Sequence, residues 1–369
     1  MSIEAQLLLE QSLAERLGRR HCVLTGRAAS AIHIALRALD LRPGKIVVPA
    51  ISCPSPATIP LYSGHQPVFC DISLRDFNMC PKALRRLLLE HRDVVALVPV
   101  HLYGQAAPME EIQAIATEHN IPVIEDAAQA LGASLVGRPL GSWGEVSVIS
   151  FGHTKTLDVG WGGAALTDNN ELAEELRKES LNLPERPFEI ARLFEEWRRV
   201  YYTLIPLIER NEAFNALFLP LPKIFREMYL FALDSSEVPR IQHALQHLDE
   251  WVAIRRNRAR FYRDALQHPN LLHPRLDEES APWRYSFLAA HGLQKPITEA
   301  LRNSAIDVSN WYPPLYRWYS VGRTQDPAFF RNANRLASEV INLWVAPNTP
   351  EHDLYKACEV VHNVLSKHL

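Results

Sequence analysis

The chain reads as an α/β protein with a mostly parallel sheet between helices, followed by a smaller α+β C-terminal unit. Three observations predict this. Strand-like and helix-like segments alternate from residue 21 to residue 150, the signature of consecutive βαβ units. The strand-like runs "VVALVPV" and "PVIED" are nearly all apolar, as strands covered on both faces must be. Beyond about residue 170 the alternation stops, first for an aromatic-rich stretch and then for mixed strands and helices.

The elements follow in order. "MSIEAQLLLEQSLAERLGRR" carries charges throughout, so it predicts an amphipathic helix rather than a signal peptide. "HCVLTG" is a short strand ending on Gly26, and "RAASAIHIALRALDL" a helix that opens on small residues. "KIVVPA" and "QPVFCDI" are strands with a helix or turn, "SPATIPLYSG", between them. "PKALRRLLLEH" is a helix opened by Pro81. Strand "VVALVPVHLYG", helix "PMEEIQAIATEHN", strand and turn "IPVIEDAAQ" and strand "EVSVIS" complete the sheet. "ELAEELRKESLNL" is helical. The stretch Glu195–Leu233 is rich in aromatic residues and leucine and is interrupted by Pro206, Pro220 and Pro222. It predicts short helices packed on the large domain or at a subunit contact, with a cover over a substrate or a membrane-surface patch as the sharper readings. A long helix is expected from Pro239 to Leu266, its "IRRNRAR" run forming a solvated face. The predicted division is a large domain over 1–238, with the aromatic insert at about 190–233, and a small domain over 239–369.

Of the 369 residues, 47% are hydrophobic and 22% charged, and the formal charge is −3, values suited to a soluble chain with a sizeable core. The pI near 6.6 gives no basic surplus for nucleic acid. Five dispersed cysteines lack metal-ligand spacing, so reduced thiols in a cytoplasmic protein are expected, with no metal site. No apolar run is long enough to cross a bilayer, and peripheral membrane contact is the less favoured expectation.

In such sheets, ligands lie at the carboxyl ends of strands, where this chain places His101, Asp126 and Ser150. His101 reads equally as a core histidine and as a site residue. The stretch "SVISFGHTKTLDVGWGGAALTD" sets one lysine, Lys155, between an apolar strand and a glycine-rich turn. A buried lysine can lose its proton and attack a carbonyl, and pyridoxal 5'-phosphate (PLP) is the aldehyde that most often exploits this. PLP needs a carboxylate at its ring nitrogen, backbone N–H groups at a helix start for its phosphate, and a flat or apolar surface against the ring. Asp126 ends the strand "PVIED", with Gln129 shortly after. Gly26, Arg27 and Ala28 lie in the strand-to-helix turn "TGRAAS", and Ser150 offers a hydroxyl five residues before Lys155.

Taken together, "TGRAAS", "PGKIVVPA", "GHQPVFCDI", "VPVHLYGQAAPM", "PVIEDAAQALGA", "GRPLGSWGEVSVISF", "TKTLDVGWGGAALTD", "NWYPPLY" and "VAPNTPEH" resemble the DegT/DnrJ/EryC1/StrS family of PLP-dependent sugar aminotransferases. The resemblance is dense over 20–170 and thinner over 240–369. It implies the PLP-dependent transferase fold type I, with a mostly parallel seven-stranded sheet in the large domain. It implies Lys155 as Schiff-base lysine and proton shuttle, Asp126 as pyridinium partner and Gln129 as a contact to the ring hydroxyl. Gly26, Arg27, Ala28 and Ser150 would hold the phosphate. The family's dehydratases carry histidine in place of the lysine; here the lysine is kept, with His153 two residues before it, which favours transamination. His153, Trp311 and Tyr312 are expected near the substrate. The chain departs from the family at Cys53, where an aromatic ring usually stacks on PLP, at Trp161 in "GWGG", and at "LDSSEVPRIQ". Which residue stacks on the ring stays open, with Cys53 one candidate. The expected activity is amino transfer, with L-glutamate as donor, to a nucleotide-linked keto-sugar or a related biosynthetic intermediate, in a homodimer. A PLP-dependent sugar dehydratase and a non-catalytic PLP-binding regulatory protein are the alternatives.

Overall fold

Seven strands form the main sheet of the computed structural model, which describes residues 3–290, 292–319 and 326–367. They are β1 (His21–Thr25), β2 (Lys45–Pro49), β3 (Gln66–Cys70), β4 (Val94–Leu97), β5 (Ile124–Asp126), β6 (Val146–Ser150) and β7 (Gly163–Thr167). Hydrogen bonds join β3-β2-β4 and β1-β7-β6-β5. The parallel bridges Leu97–Val123 and Val100–Asp126 tie the two groups together. Six strands therefore run parallel, and β7 alone runs against both of its neighbours.

That reversal was not read from the sequence, and its cause is local. A parallel return needs a crossover that packs back on the sheet, usually a helix. Residues 151–162 form a loop instead, turning back through positive φ at Thr154, Gly160 and Gly162. The sheet is covered by helices that include α1 (Ile3–Arg16) and α2 (Ala28–Ala38). Small residues at the α2 start let it press onto β7: a Cβ on Gly163 would stand 2.4 Å from the Ala28 nitrogen and 2.5 Å from the Arg27 carbonyl carbon. The start of α2 and the ends of β5 and β6 thus meet on one side of the sheet.

Successive side chains on a strand face opposite ways, and β5 uses this for two adjacent carboxylates. Glu125 is fully buried. Its Oε1 accepts from His101 Nε2 at 2.9 Å and from the Gly141 N–H at 2.6 Å. Its Oε2 accepts from the Trp143 and Gly144 N–H groups at 2.6 and 3.1 Å and from Ser147 Oγ at 2.7 Å. His101 is therefore a core partner of Glu125. Asp126, the next residue, lies close enough to Lys155 to feel its charge.

The insert differs from its expectation. Instead of short helices throughout, it opens with the 21-residue α3 (Ile190–Arg210), which carries Pro206 within it. Pro206 falls four residues before the helix end, where the chain is about to leave the helix, so one lost hydrogen bond is outweighed by the aromatic face that docks α3. The long helix expected from Pro239 to Leu266 is broken at His247 into Val238–Gln246 and α4 (Leu248–Ala265). The "IRRNRAR" run is not wholly solvated, because Arg255 falls in phase with the buried Val252, Ala259 and Tyr262. A four-stranded antiparallel sheet, β8 (Leu271–Leu272), β9 (Tyr285–Ala289), β10 (Val308–Ser309) and β11 (Val340–Leu343), has the order β8-β9-β11-β10. Its apolar residues form a cluster of their own with the helix Glu351–Leu365.

Candidate active site

Lys155 sits in the loop between β6 and β7. Its N–H donates to the Gly152 carbonyl at 3.2 Å, and its own carbonyl accepts from Arg255 at 3.4 Å. Arg255 also donates to the Trp283 carbonyl at 2.9 Å, so α4 clasps the lysine loop and the start of β9 together. Burial pushes the Lys155 ammonium below its ordinary range, with Cys53 and Asp126 acting the other way. Burial likewise pushes the Asp126 carboxyl up, against the Ala128 N–H and the Lys155 charge. The two groups, 29 positions apart in sequence, thus lie close enough to feel each other's charge. A lowered ammonium is what an amine needs to react at neutral pH.

Thr154, immediately before the lysine, has φ of +63°, a conformation that costs a β-branched residue roughly 1–3 kcal/mol. Its N–H is held by Asp158 Oδ2 at 2.7 Å, and its carbonyl accepts from the Trp283 indole. The side chain is exposed, whereas the backbone is tied on both sides. Asparagine tolerates this region better, so Thr154→Asn is expected to raise stability by about 1 kcal/mol. A denaturation midpoint that stays level or falls would show that the loop stores no strain.

Of the other sequence-derived residues, Cys53 and Arg27 lie close enough to Lys155 to act on its charge. Asp126 Oδ1 accepts from the Ala128 N–H at 2.9 Å, and Oδ2 has no hydrogen bond among the described residues. The Gly26 N–H is spent on the Phe231 carbonyl at 3.0 Å, so Gly26 offers no free donor. A Cβ there would meet the Phe231 ring at 2.2 Å. The N–H groups of Ala28, Ala29 and Ser30 precede the first backbone bond of α2, Ala31 to the Arg27 carbonyl, and so lack acceptors within the helix. Arg27 donates to the Met228 carbonyl at 2.7 Å and lies 5.6 Å from the ring centres of both Trp161 and Phe194. No carboxylate stands within ion-pair distance of it among the described residues, and burial pushes its guanidinium down. Ser150 is buried, its Oγ accepting from the Gly152 N–H at 3.3 Å. Gln129 accepts from the Tyr103 N–H at 2.9 Å and donates to the Tyr312 hydroxyl at 3.0 Å, which makes it a positioner of Tyr312 in this structure.

A cavity of about 1060 Å³ opens over Lys155 and brings Cys53, His153, Trp311 and Tyr312 together. Its far wall is α3, which contributes Phe194, Trp197, Arg198, Tyr202, Ile205 and Glu209 at helical spacing. His153 packs on Phe194 with ring centres 5.8 Å apart and meets Trp161 edge-on at 5.6 Å. The first helix of the insert therefore walls the cavity, while none of residues 211–233 lines it. Sequence reasoning missed Arg255, Trp283, Arg284 and Trp344; only Arg255 had a readable signal, its phase on α4. No group of three or more His, Cys, Asp or Glu able to hold a metal occurs among the described residues, and no helix among them is long and apolar enough to cross a membrane.

A model of the DegT/DnrJ/EryC1/StrS aminotransferase family matches residues 4–183 and 240–362. The matched parts hold every site residue named from the sequence; the unmatched 184–239 hold α3. The chain is 40% identical over 171 residues to the pleiotropic regulatory protein of Geobacillus stearothermophilus, covering 46% of this chain and 45% of that protein. It is 33% identical over 222 residues to the UDP-2-acetamido-2-deoxy-3-oxo-D-glucuronate aminotransferase of Pseudomonas aeruginosa, covering 59% and 58%. The chain thus spans about half the length of the curated relatives it matches. Among solved structures, ntda from Bacillus subtilis with bound cofactor PMP shares the fold at a TM-score of 0.77 and 21% identity, over 99% of this chain and 78% of that one.

Proposed function

The chain belongs to the DegT/DnrJ/EryC1/StrS aminotransferase family, and from that premise we propose that it is a PLP-dependent aminotransferase acting on a nucleotide-linked keto-sugar, with L-glutamate as amino donor. One observation carries the reading: Lys155 lines a large cavity and lies close enough to the buried Asp126 for each to feel the other's charge, the amine pushed down by burial and the acid up.

The residues fit PLP, the cofactor of the family. Asp126 has a free carboxylate oxygen in a buried place, suited to a protonated ring nitrogen. The start of α2, the Ser150 hydroxyl and the unpaired Arg27 guanidinium make a dianion site. Cys53 lines the cavity beside Lys155. Bound there, PLP supplies a pyridinium that takes up the electron pair left when a proton leaves the donor carbon. Lys155, as a neutral amine, accepts that proton and returns it; its loop, fixed by Arg255, keeps the nitrogen over one reacting centre. Asp126 holds the ring proton in place, and its burial makes that interaction strong. The aromatic wall excludes water and offers flat surfaces for a sugar or base. The sugar acceptor is supported by the name of the Pseudomonas aeruginosa relative. A homodimer and a division near residue 239 belong to the same proposal.

The test is a mixture of protein, PLP, L-glutamate and a UDP-linked 3-keto-sugar, followed by mass spectrometry. Amino-sugar and 2-oxoglutarate in equal amounts are expected. Loss of a sugar hydroxyl with no 2-oxoglutarate would establish the dehydratase instead. The name of the Geobacillus stearothermophilus relative favours a regulatory role as the second reading; bound PLP with no turnover of any amino donor would select it.

A further inference from the structure

Arg284 is an anomaly of charge. It is 7% exposed, and no carboxylate lies within ion-pair distance of it among the described residues. The charged and titratable neighbours that act on it are Tyr312, Tyr202, Tyr103 and Arg255, none of them an acid that could balance it at neutral pH. Burial brings its pKa down to about 10, so it stays cationic. A buried charge is costly unless it is paired.

Its geometry is fixed from both sides. The guanidinium carbon lies 3.9 Å from the Trp283 ring centre and 3.6 Å from that of Trp344. Two indoles thus cover the faces of the cation, and only its in-plane N–H edge can bind anything further. One N–H on that edge donates to Ser309 Oγ at 2.5 Å. A guanidinium has five such donors in a planar fork that matches a carboxylate with two parallel hydrogen bonds.

The place is as telling as the geometry. Arg284, Trp283 and Trp344 form the partition between the 1060 Å³ cavity and a second one of about 450 Å³, and Lys155 lines both. Arg27, a half-buried guanidinium near Lys155 that also lacks an ion-pair partner among the described residues, lines neither cavity and sits instead at the α2 start, whereas the buried Arg255 is held by the Trp283 and Lys155 carbonyls. Arg27 and Arg284 therefore occupy different places around Lys155.

We propose that Arg284, clamped between Trp283 and Trp344, is the binding site for a carboxylate of the substrate that reacts at Lys155. This rests on the proposed aminotransferase reading. The carboxylate belongs to the amino donor or to the acceptor, and the experiment separates the two.

The probes are glutarate and L-glutamate, titrated into PLP-loaded protein and followed by calorimetry and by the cofactor's absorbance. Arg284→Gln should weaken both by about 100-fold, and Arg284→Lys, which keeps charge but loses the fork, by about 10-fold. PLP affinity and the limiting rate of the glutamate half-reaction should stay within a few-fold of wild type, a split between KM and kcat that general loosening of the fold would not give. If Arg284→Gln weakens glutarate while L-glutamate is unaffected, the carboxylate is the acceptor's. Unchanged binding of both probes overturns the proposal, as does equal weakening by the Lys and Gln variants together with lost PLP affinity. Failure of the aminotransferase reading would look different: wild-type protein itself would show no absorbance change with L-glutamate, although glutarate binding would still depend on Arg284.

Discussion

Replacing Lys155 with alanine is expected to lower the rate of amino transfer by about 10⁴-fold, the scale of a lost general acid–base group. The substitution should leave the fold intact, because the hydrogen bonds at this position are made by the Lys155 backbone. Arginine at the same position should be equally inactive. It keeps a positive charge beside Asp126 but cannot give up its proton at neutral pH. PLP should then be held only by reversible contacts, at the α2 start, Ser150 and Asp126. Gel filtration of the PLP-loaded proteins, followed by absorbance, reads this directly: wild type keeps its cofactor, and Lys155→Ala loses it over repeated passes. A variant that kept both its cofactor and its turnover would remove Lys155 from the chemistry.

The second large effect concerns stability. Glu125→Ala should destabilise the protein by about 3–5 kcal/mol, the cost of leaving a buried network without its central acceptor. Burial by itself would raise the Glu125 carboxyl. The hydrogen bond and charge of His101, the Ser147 hydroxyl and the Gly141 N–H outweigh it and hold the group near 2, against an ordinary 4.5. The folded state thus binds the proton less readily than the unfolded chain does. The resulting stabilisation, roughly 3 kcal/mol, is complete above about pH 4.5 and drains away as the pH falls towards 2. Urea unfolding at pH 7 and pH 3 should show wild type losing stability over that interval. Glu125→Gln should start lower and lose less. Equal slopes for the two proteins would rule out Glu125 as the source.

The sheet was legible because its strands are short, largely apolar and bounded by turn residues, and because β4 lacks any polar face. Lys155 and Asp126 were legible for a different reason: each ends or follows a strand, where a parallel sheet opens. What stayed hidden depends on facing rather than on position. Glu125 and Asp126 are neighbours of the same chemical type, and only the pleat decides which one enters the core network. Arg255 lies in a run with four other charged or polar residues, Arg256, Asn257, Arg258 and Arg260, and its burial follows from sharing a helical stripe with Val252 and Ala259. Arg284 gave no signal, since its clamp joins β9 to Trp344, just past the end of β11, 60 residues further on. Gln129 was expected to contact the cofactor's ring hydroxyl; in the structure its side chain bonds the Tyr103 N–H and the Tyr312 hydroxyl, an arrangement that sequence spacing could not show.

Of the eight tryptophans in the chain, five (Trp161, Trp197, Trp283, Trp311 and Trp344) border the large cavity. Most of the ultraviolet emission of the molecule therefore originates beside one chamber. A coenzyme whose absorption overlaps that emission should quench it on entering, so its occupancy can be followed without label, acceptor identity or turnover.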